Sequence, residues 1–165
     1  MPILIELDRQ QLTLSDEQGH VLSRYPISSA ERGAGEQRGS YQTPRGRHII
    51  RAKIGAHAPR AAVFVGRRWT GECCTAEAWA AQPQRDWILS RILWLSGCEP
   101  GRNRLGEVDT MRRYIYIHGT PDAVALGVPG SHGCIRMHND DVIALFDQVY
   151  PGMPVNIVEQ GEEPT

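Results

Sequence analysis

The feature that most restricts the fold is the alternation of apolar and polar residues near the N-terminus. From Ile3 to Ile27 apolar side chains recur with a period close to two. Successive side chains of a strand point to opposite faces, so this pattern predicts strands with one buried face. The alternation is broken at residues 8–10 and again at residues 17–19, where polar residues and a glycine favour turns. We therefore predict a three-stranded meander.

Further strand-like segments follow along the rest of the chain. Strands are predicted at residues 47–54, 61–65, 114–118 and 155–158. Residues 88–95 fit a strand that is covered on both faces, but they also fit a short amphipathic helix. Between these segments, residues 28–46 are predicted to form a long glycine-rich loop, and residues 67–83 to be irregular with one short helical turn at 76–81.

One segment has the pattern of a packed helix. Asn139 is a suitable cap, and Asp140 and Asp141 suit the positive end of a helix. An apolar stripe follows, which Pro151-Gly152 ends, and it consists of Val142, Leu145, Phe146 and Val149. The predicted class is mainly β, as a β-sandwich or barrel with one packed helix and long loops, in a single domain over residues 1–160 with a polar tail at 161–165.

Charge and hydropathy exclude several classes of partner. Lys and Arg number 18 against 19 Asp and Glu, so no broad electrostatic field favours nucleic acid. No apolar run approaches the roughly 20 residues that span a bilayer, so we expect no membrane insertion. The first residues lack the pattern of a signal peptide, and we therefore expect a cytoplasmic protein, or a periplasmic one if a native leader has been removed. The sequence does not set an oligomeric state.

Four cysteines are too few and too clustered for a disulfide framework, and we expect reduced thiols at residues 73, 74, 98 and 134. Cys73, Cys74 and Cys98 could supply three metal ligands, but no CxxC spacing accompanies them. We therefore prefer small, buried apolar roles for these three residues and expect no metal and no cofactor.

The fourth cysteine has the surroundings of a nucleophile. A free thiol with a pKa of about 8.5 is only slightly ionised at neutral pH, so a nucleophilic cysteine needs a base. His118 ends a predicted strand, and a Gly/Pro-rich segment leads from it to Cys134 and could fold back to bring the two together. Gly133 carries no side chain, so its N–H and that of Cys134 could point into one oxyanion pocket.

Two neighbours of Cys134 have open assignments. His132 could orient a substrate or tune the thiolate, and it could equally be a loop histidine that is hydrogen-bonded to backbone. Arg136 has a planar guanidinium that suits a substrate carboxylate, and the competing interpretation is a salt bridge to Asp140 or Asp141.

Three motifs stand in order along the chain: YQTPRGRHII at 41–50, YIYIHGT at 114–120 and SHGCIRM at 131–137. The last two resemble the active-site signature of the L,D-transpeptidase family, also called the YkuD or ErfK family, and the first is similar to that family's Thr-Pro-x-Gly element. The resemblance runs from about residue 3 to residue 158. It implies a β-sandwich catalytic domain whose cysteine attacks the carbonyl at the L-centre of diaminopimelate in a peptidoglycan stem tetrapeptide, releasing D-Ala and leaving an acyl-enzyme.

The resemblance also implies roles residue by residue. Cys134 matches the nucleophile, His118 the general base and His132 the second motif histidine, and Gly133 with Cys134 lines the oxyanion pocket. The flanking residues Ser131 and Gly119, with Arg136, are assigned to substrate binding. Some family members carry asparagine at the position of Arg136, where this chain departs from them.

The family divides by the molecule that resolves the thioester. An amine of a second stem peptide gives a 3-3 cross-link, a lipoprotein lysine gives anchoring, and water gives L,D-carboxypeptidase activity. Because no signal peptide is visible, we expect hydrolysis of peptidoglycan tetrapeptide fragments to tripeptides during murein recycling. The alternatives are an L,D-transpeptidase that forms 3-3 cross-links, and a non-catalytic peptidoglycan-binding domain, against which the intact Cys134 and His118 argue.

Overall fold

The fold is known from a computed structural model that describes residues 2–160. The predicted tail at 161–165 lies outside these residues. Within them the chain forms ten strands: β1 (Ile3–Glu6), β2 (Gln11–Ser15), β3 (Val21–Pro26), β4 (Gly46–Ile54), β5 (Ala62–Val65), β6 (Arg68–Cys73), β7 (Ile88–Gly97), β8 (Tyr116–Gly119), β9 (Ile135–Met137) and β10 (Pro154–Val158). Two α-helices, α1 (Ala76–Ala81) and α2 (Asn139–Gln148), complete the described fold, with a 3₁₀ turn at Gly106–Val108.

The ten strands belong to one continuous hydrogen-bonded sheet that curls on itself. The main path runs β3-β2-β1-β10-β4-β7-β5-β6, and β8 and β9 branch from β7. The predicted N-terminal meander is present as β1, β2 and β3 with antiparallel pairing. The mainly β class with one packed helix is confirmed, because α1 buries no side chain whereas α2 buries Val142, Leu145 and Phe146 in the main core.

Strand β7 is the centre of the sheet. Ile92 pairs with Ile54 of β4 and also with His118 of β8, so these two strands lie on opposite edges of β7. The helical alternative for residues 88–95 is thus wrong. Pairing with β8 skips two residues between Leu89 and Ile92, and Ser90 within this bulge has a φ of 70°. The bulge directs the buried Ser90 hydroxyl towards Asn139, to which it donates at 2.6 Å.

The predicted cap of α2 is wrong. The helix begins at Asn139, and His138 occupies the cap position without a side-chain hydrogen bond. Asn139 is buried, and its amide accepts from Ser90 and donates to the backbone oxygen of Thr120 and to Asp122. Its side chain therefore fixes the loop that follows β8 instead of capping the helix.

Two strands were missed by the sequence pattern. All six residues of β6 are exposed, so this edge strand has no buried face to create an alternation. Strand β9 has only three residues, and it begins directly after Cys134. Within residues 2–160, no helix is both long and apolar enough to cross a membrane.

Candidate active site

Parallel pairing of β8 and β9 brings the predicted nucleophile beside the predicted base. Ile117 pairs with Ile135 and His118 with Arg136, so Cys134 lies level with Tyr116, two residues before His118. The Tyr116 N–H donates to Cys134 Sγ at 3.3 Å. Cys134 and His118 line one cavity of about 340 Å³. The Gly/Pro-rich segment between them folds back, as the sequence predicted.

The backbone fixes the tautomer of His118. Its Nδ1 lies 2.6 Å from the carbonyl oxygen of Gly119, which only accepts hydrogen bonds. Nδ1 therefore carries the proton, and Nε2 is the atom that accepts one. His118 is buried, and burial lowers its pKa below the ordinary 6.5 even though the charge of Asp86 opposes the shift. The imidazole is thus neutral at neutral pH, as a general base must be.

The Cys134 thiol is protonated in the resting structure. Burial raises its pKa to about 12, although the Tyr116 N–H and the charges of Arg136 and Arg113 favour the thiolate. The thiol donates to the carbonyl oxygen of Tyr114, at 3.4 Å. Because burial favours the neutral form of both partners, the thiolate forms when the base takes the proton during attack.

Hydrogen bonds from two hydroxyl groups hold the nucleophile loop in place. Ser131 Oγ donates to the Cys134 carbonyl oxygen at 2.6 Å and accepts from the Gly133 N–H at 3.1 Å. The fully buried Thr43 donates to the Gly133 carbonyl oxygen and accepts from the Ala30 N–H, both at 2.9 Å. Thr43 thereby joins the Thr-Pro motif to the cysteine motif. No role was predicted for Thr43, although the motif that contains it was the available signal.

Gly133 permits this arrangement because it has no side chain. Its φ is 132°, and an added Cβ would lie 3.1 Å from Ile115 Cδ1 and 3.3 Å from the Gln42 carbonyl oxygen. Its N–H, which we predicted for the oxyanion pocket, already donates to Ser131 Oγ. The Gly133 N–H would have to leave Ser131 to stabilise an oxyanion.

The predicted substrate-binding residues have other contacts in the structure. The Ser131 hydroxyl is occupied by the loop itself. Gly119 is buried, and its carbonyl orients His118, while an added Cβ would lie 2.5 Å from Asn139 Oδ1. Arg136 donates to the carbonyl oxygen of Gly130 at 2.9 Å. All three residues therefore shape the catalytic loop or the base.

The salt bridge considered for Arg136 is not among the ion pairs of residues 2–160. Asp140 instead pairs with Arg60, at 2.8 Å. His132 is exposed on the cavity wall, where its ring meets that of Tyr41 edge-on with centroids 6.0 Å apart.

The cavity wall carries charged residues that the sequence did not single out. Arg113 is half-buried and donates to the carbonyl oxygens of Gly35 and Gln42, at 3.2 and 2.6 Å. Arg67 and Asp86 also line the cavity. Arg67 and Asp86 lie in segments predicted to be irregular or left unassigned, so the sequence offered no signal for them.

The other cysteines lie away from this cavity. All four cysteines of the chain are free thiols, and residues 2–160 contain no cluster of potential metal ligands. Cys73 is exposed, so the prediction of a buried role is wrong for it, because β6 is an edge strand. Cys74 is partly buried against Ala61 and Trp79, and burial raises its pKa.

Similarity to known proteins covers the described fold and its motifs. A family model described as the L,D-transpeptidase catalytic domain (YkuD) matches residues 2–157. Probable L,D-transpeptidase YcfS of Escherichia coli (strain K12) is 48% identical over 42 residues, which are 26% of this chain and 13% of that protein. Probable L,D-transpeptidase ErfK/SrfK of the same strain is 46% identical over 48 residues, covering 29% and 16%. The matches thus span a small part of these relatives.

Solved structures show the same fold at low identity. An L,D-transpeptidase from Mycobacterium smegmatis has a TM-score of 0.55 and 22% identity, with 94% of this chain and 57% of that chain covered. An L,D-transpeptidase from Mycobacterium tuberculosis H37Rv has a TM-score of 0.58 and 20% identity, covering 95% and 57%. At these identities the likeness concerns the fold.

Proposed function

Because the chain belongs to the L,D-transpeptidase catalytic-domain family, we propose that it hydrolyses the bond between diaminopimelate and terminal D-Ala in peptidoglycan tetrapeptides. The observation that carries this proposal is the shared cavity of Cys134 and His118, with the tautomer of His118 fixed for accepting a proton. The product is a tripeptide. The cytoplasmic recycling setting stays a prediction from the sequence.

The first half of the reaction forms the acyl-enzyme. His118 Nε2 takes the thiol proton as Cys134 Sγ attacks the carbonyl carbon at the L-centre of diaminopimelate. The carbonyl oxygen becomes an oxyanion, and the Cys134 N–H is the donor that we assign to it, a contact typically worth about 2.7 to 4 kcal/mol. When the C–N bond breaks, the imidazolium gives its proton to the amine of D-Ala, and a thioester remains.

The second half of the reaction uses water. His118 takes a proton from water as its oxygen attacks the thioester carbonyl carbon. The C–S bond then breaks, the imidazolium returns its proton to Sγ, and the tripeptide leaves as a carboxylic acid that releases its proton to solvent. The Gly119 carbonyl stabilises both imidazolium intermediates, because it accepts from the Nδ1 proton at 2.6 Å.

The size of the cavity supports water as the acceptor. Its volume of about 340 Å³ lies near the lower end of the range of about 300 to 1,000 Å³ for small-molecule sites. One peptide end fits such a volume better than a donor and an acceptor peptide together. The names of the relatives favour a second candidate, transfer to the amine of a second stem peptide to give a 3-3 cross-link.

Product analysis separates the two candidates. Purified protein is incubated with disaccharide tetrapeptide, with and without an acceptor peptide, and the products are identified by mass spectrometry. We expect D-Ala and tripeptide in both mixtures. If cross-linked peptide dimers are the main product, the reaction is transfer to an acceptor peptide and the proposal of hydrolysis is wrong.

Cysteine variants test the mechanism itself. Cys134→Ala is expected to abolish D-Ala release, and retained activity would remove the cysteine mechanism. Cys74→Ala is the matched control, because Cys74 lines a different cavity, of about 320 Å³. This control is expected to keep wild-type activity.

A further inference from the structure

Arg67 and Asp86 are charged residues on the catalytic cavity wall, and neither is in any ion pair among residues 2–160. We propose, on the basis of the proposed function, that Arg67 and Asp86 form a subsite that binds the far end of the diaminopimelate side chain. That end is an amino-acid centre with a free carboxylate and a free ammonium group. Arg67 binds the carboxylate and Asp86 binds the ammonium.

The position of the Arg67 guanidinium suits the binding of an anion. It sits in the tight turn between β5 and β6, with a φ of 64°. Its guanidinium carbon lies 4.9 Å from the Trp94 ring centroid and 5.1 Å from that of Tyr114, and Nη1 donates to the Tyr116 hydroxyl at 3.1 Å. These contacts fix the plane of the guanidinium and leave N–H groups beyond the single bond to Tyr116.

No carboxylate of residues 2–160 forms an ion pair with Arg67. By contrast, Arg45 and Arg60 have acidic partners within 3.1 Å. A stacked guanidinium on a cavity wall is a suitable partner for a ligand carboxylate, because its planar fork matches the two oxygens.

Asp86 and Arg67 flank two strands that pair with each other, and both residues line the catalytic cavity. Val63 pairs with Leu89 and Phe64 with Ile88 in antiparallel order. Arg67 lies two residues after the end of β5 and Asp86 two residues before the start of β7, so the antiparallel pairing brings the two chain segments to the same end of these strands. Asp86 is exposed and, within the part of the chain that the structure describes, forms no hydrogen bond or ion pair.

Arg67 and Asp86 line the same cavity, but they do not form an ion pair with each other. Arg67 is directed to Trp94 and Tyr114, so it does not neutralise Asp86. A ligand centre with an ammonium and a carboxylate on the same carbon would satisfy both groups at once. Phe64, Ile88 and Ile92 line the same cavity and suit the methylene groups that connect this centre to the scissile carbonyl at Cys134.

The subsite predicts which acyl donors the enzyme selects. Amidation of the side-chain carboxyl group removes the negative charge that Arg67 binds. Acylation of the side-chain amine removes the positive charge that Asp86 binds. A stem peptide whose diaminopimelate is already cross-linked through this amine is therefore a poor substrate. The enzyme would select fragments in which both groups are free.

The test compares three tetrapeptides, in which the diaminopimelate side chain is unmodified, carboxamidated or N-acetylated. A hydrogen bond between charged groups corresponds to about a tenfold to hundredfold effect. We expect Arg67→Gln to lower kcat/KM by this factor for the unmodified peptide and to leave the already poor carboxamide unchanged. For Asp86→Asn the readout is the ratio of kcat/KM between the unmodified and the N-acetyl peptide, because Asp86 also acts on the pKa of His118, and this ratio should fall by the same factor. Arg68→Gln, an exposed change on the same hairpin, should alter none of these values.

An equal loss on all three peptides in Arg67→Gln or Asp86→Asn would overturn the subsite. Binding to Cys134→Ala, measured by calorimetry, keeps this result separate from the proposed function. Tighter binding of the unmodified peptide than of both modified ones supports the subsite whatever the acyl acceptor is. Equal binding of the three overturns it, even if D-Ala release by the wild type confirms hydrolysis.

Discussion

Thr43→Val removes one hydroxyl from a fully buried position and keeps the shape of the side chain. The change leaves the Gly133 carbonyl oxygen without its donor and the Ala30 N–H without its acceptor, two contacts of 2.9 Å in the native fold. A buried polar group without a partner costs about 1 to 3 kcal/mol. The expected loss in the free energy of unfolding is therefore about 2 to 6 kcal/mol.

Thr43→Val should also slow catalysis by the protein that remains folded, beyond the effect of its lower stability. Gly133 directly precedes the nucleophile, and its carbonyl would move to find water or another donor. A displacement of about 1 Å at the reacting centre costs about a hundredfold in rate. We therefore expect kcat for D-Ala release to fall about a hundredfold under conditions where the variant is folded.

Thr43→Ser is the matched control. It keeps the hydroxyl and loses one methyl group, which corresponds to about 0.8 kcal/mol. Denaturant unfolding gives the stability of both variants, and kcat is measured on the disaccharide tetrapeptide. If Thr43→Val and Thr43→Ser show equal stability and equal kcat, the hydroxyl does not position the nucleophile loop.

Two further predictions concern the acid–base pair. Burial raises the pKa of Cys134 to about 12, so the thiol stays protonated through neutral pH and its thiolate fraction rises about tenfold per pH unit up to that value. Its alkylation by iodoacetamide, followed by peptide mass mapping, should accelerate up to pH 10, and a plateau by pH 9 would contradict this. Gly119→Ala should lower stability by about 1 to 3 kcal/mol and reduce kcat, because its Cβ meets Asn139 Oδ1 at 2.5 Å and the Leu89 carbonyl oxygen at 2.6 Å. Gly130→Ala, where the nearest atom is 3.4 Å away, is the control, and equal kcat in the two variants would show that the Gly119 backbone does not position the base.

Most strands were predictable because their signal is local. A half-buried strand places every second residue in the core, and β2 and the second half of β4 carry that pattern in their sequence. Strand β6 carries none, because it is exposed along its length at an edge of the sheet. The wrong cap at Asn139 has a different cause, since a distant partner, Ser90, draws its side chain into the interior.

Site residues were predictable from the sequence where they belong to a motif whose function is known. Cys134 and His118 belong to such motifs, and the structure brings them into one cavity. Arg67 and Asp86 belong to no motif. They come together because β5 pairs with β7, a pairing that no local pattern specifies.

The sequence by itself determined the mainly β class and the chemistry expected of Cys134, because strand periodicity and side-chain reactivity are properties of neighbouring residues. Only the tertiary structure decided how that cysteine is held and protonated. The bond from Thr43 to Gly133 joins residues 90 positions apart, and the high pKa of the thiol arises from burial by several strands. Both depend on which surfaces the curled sheet brings together.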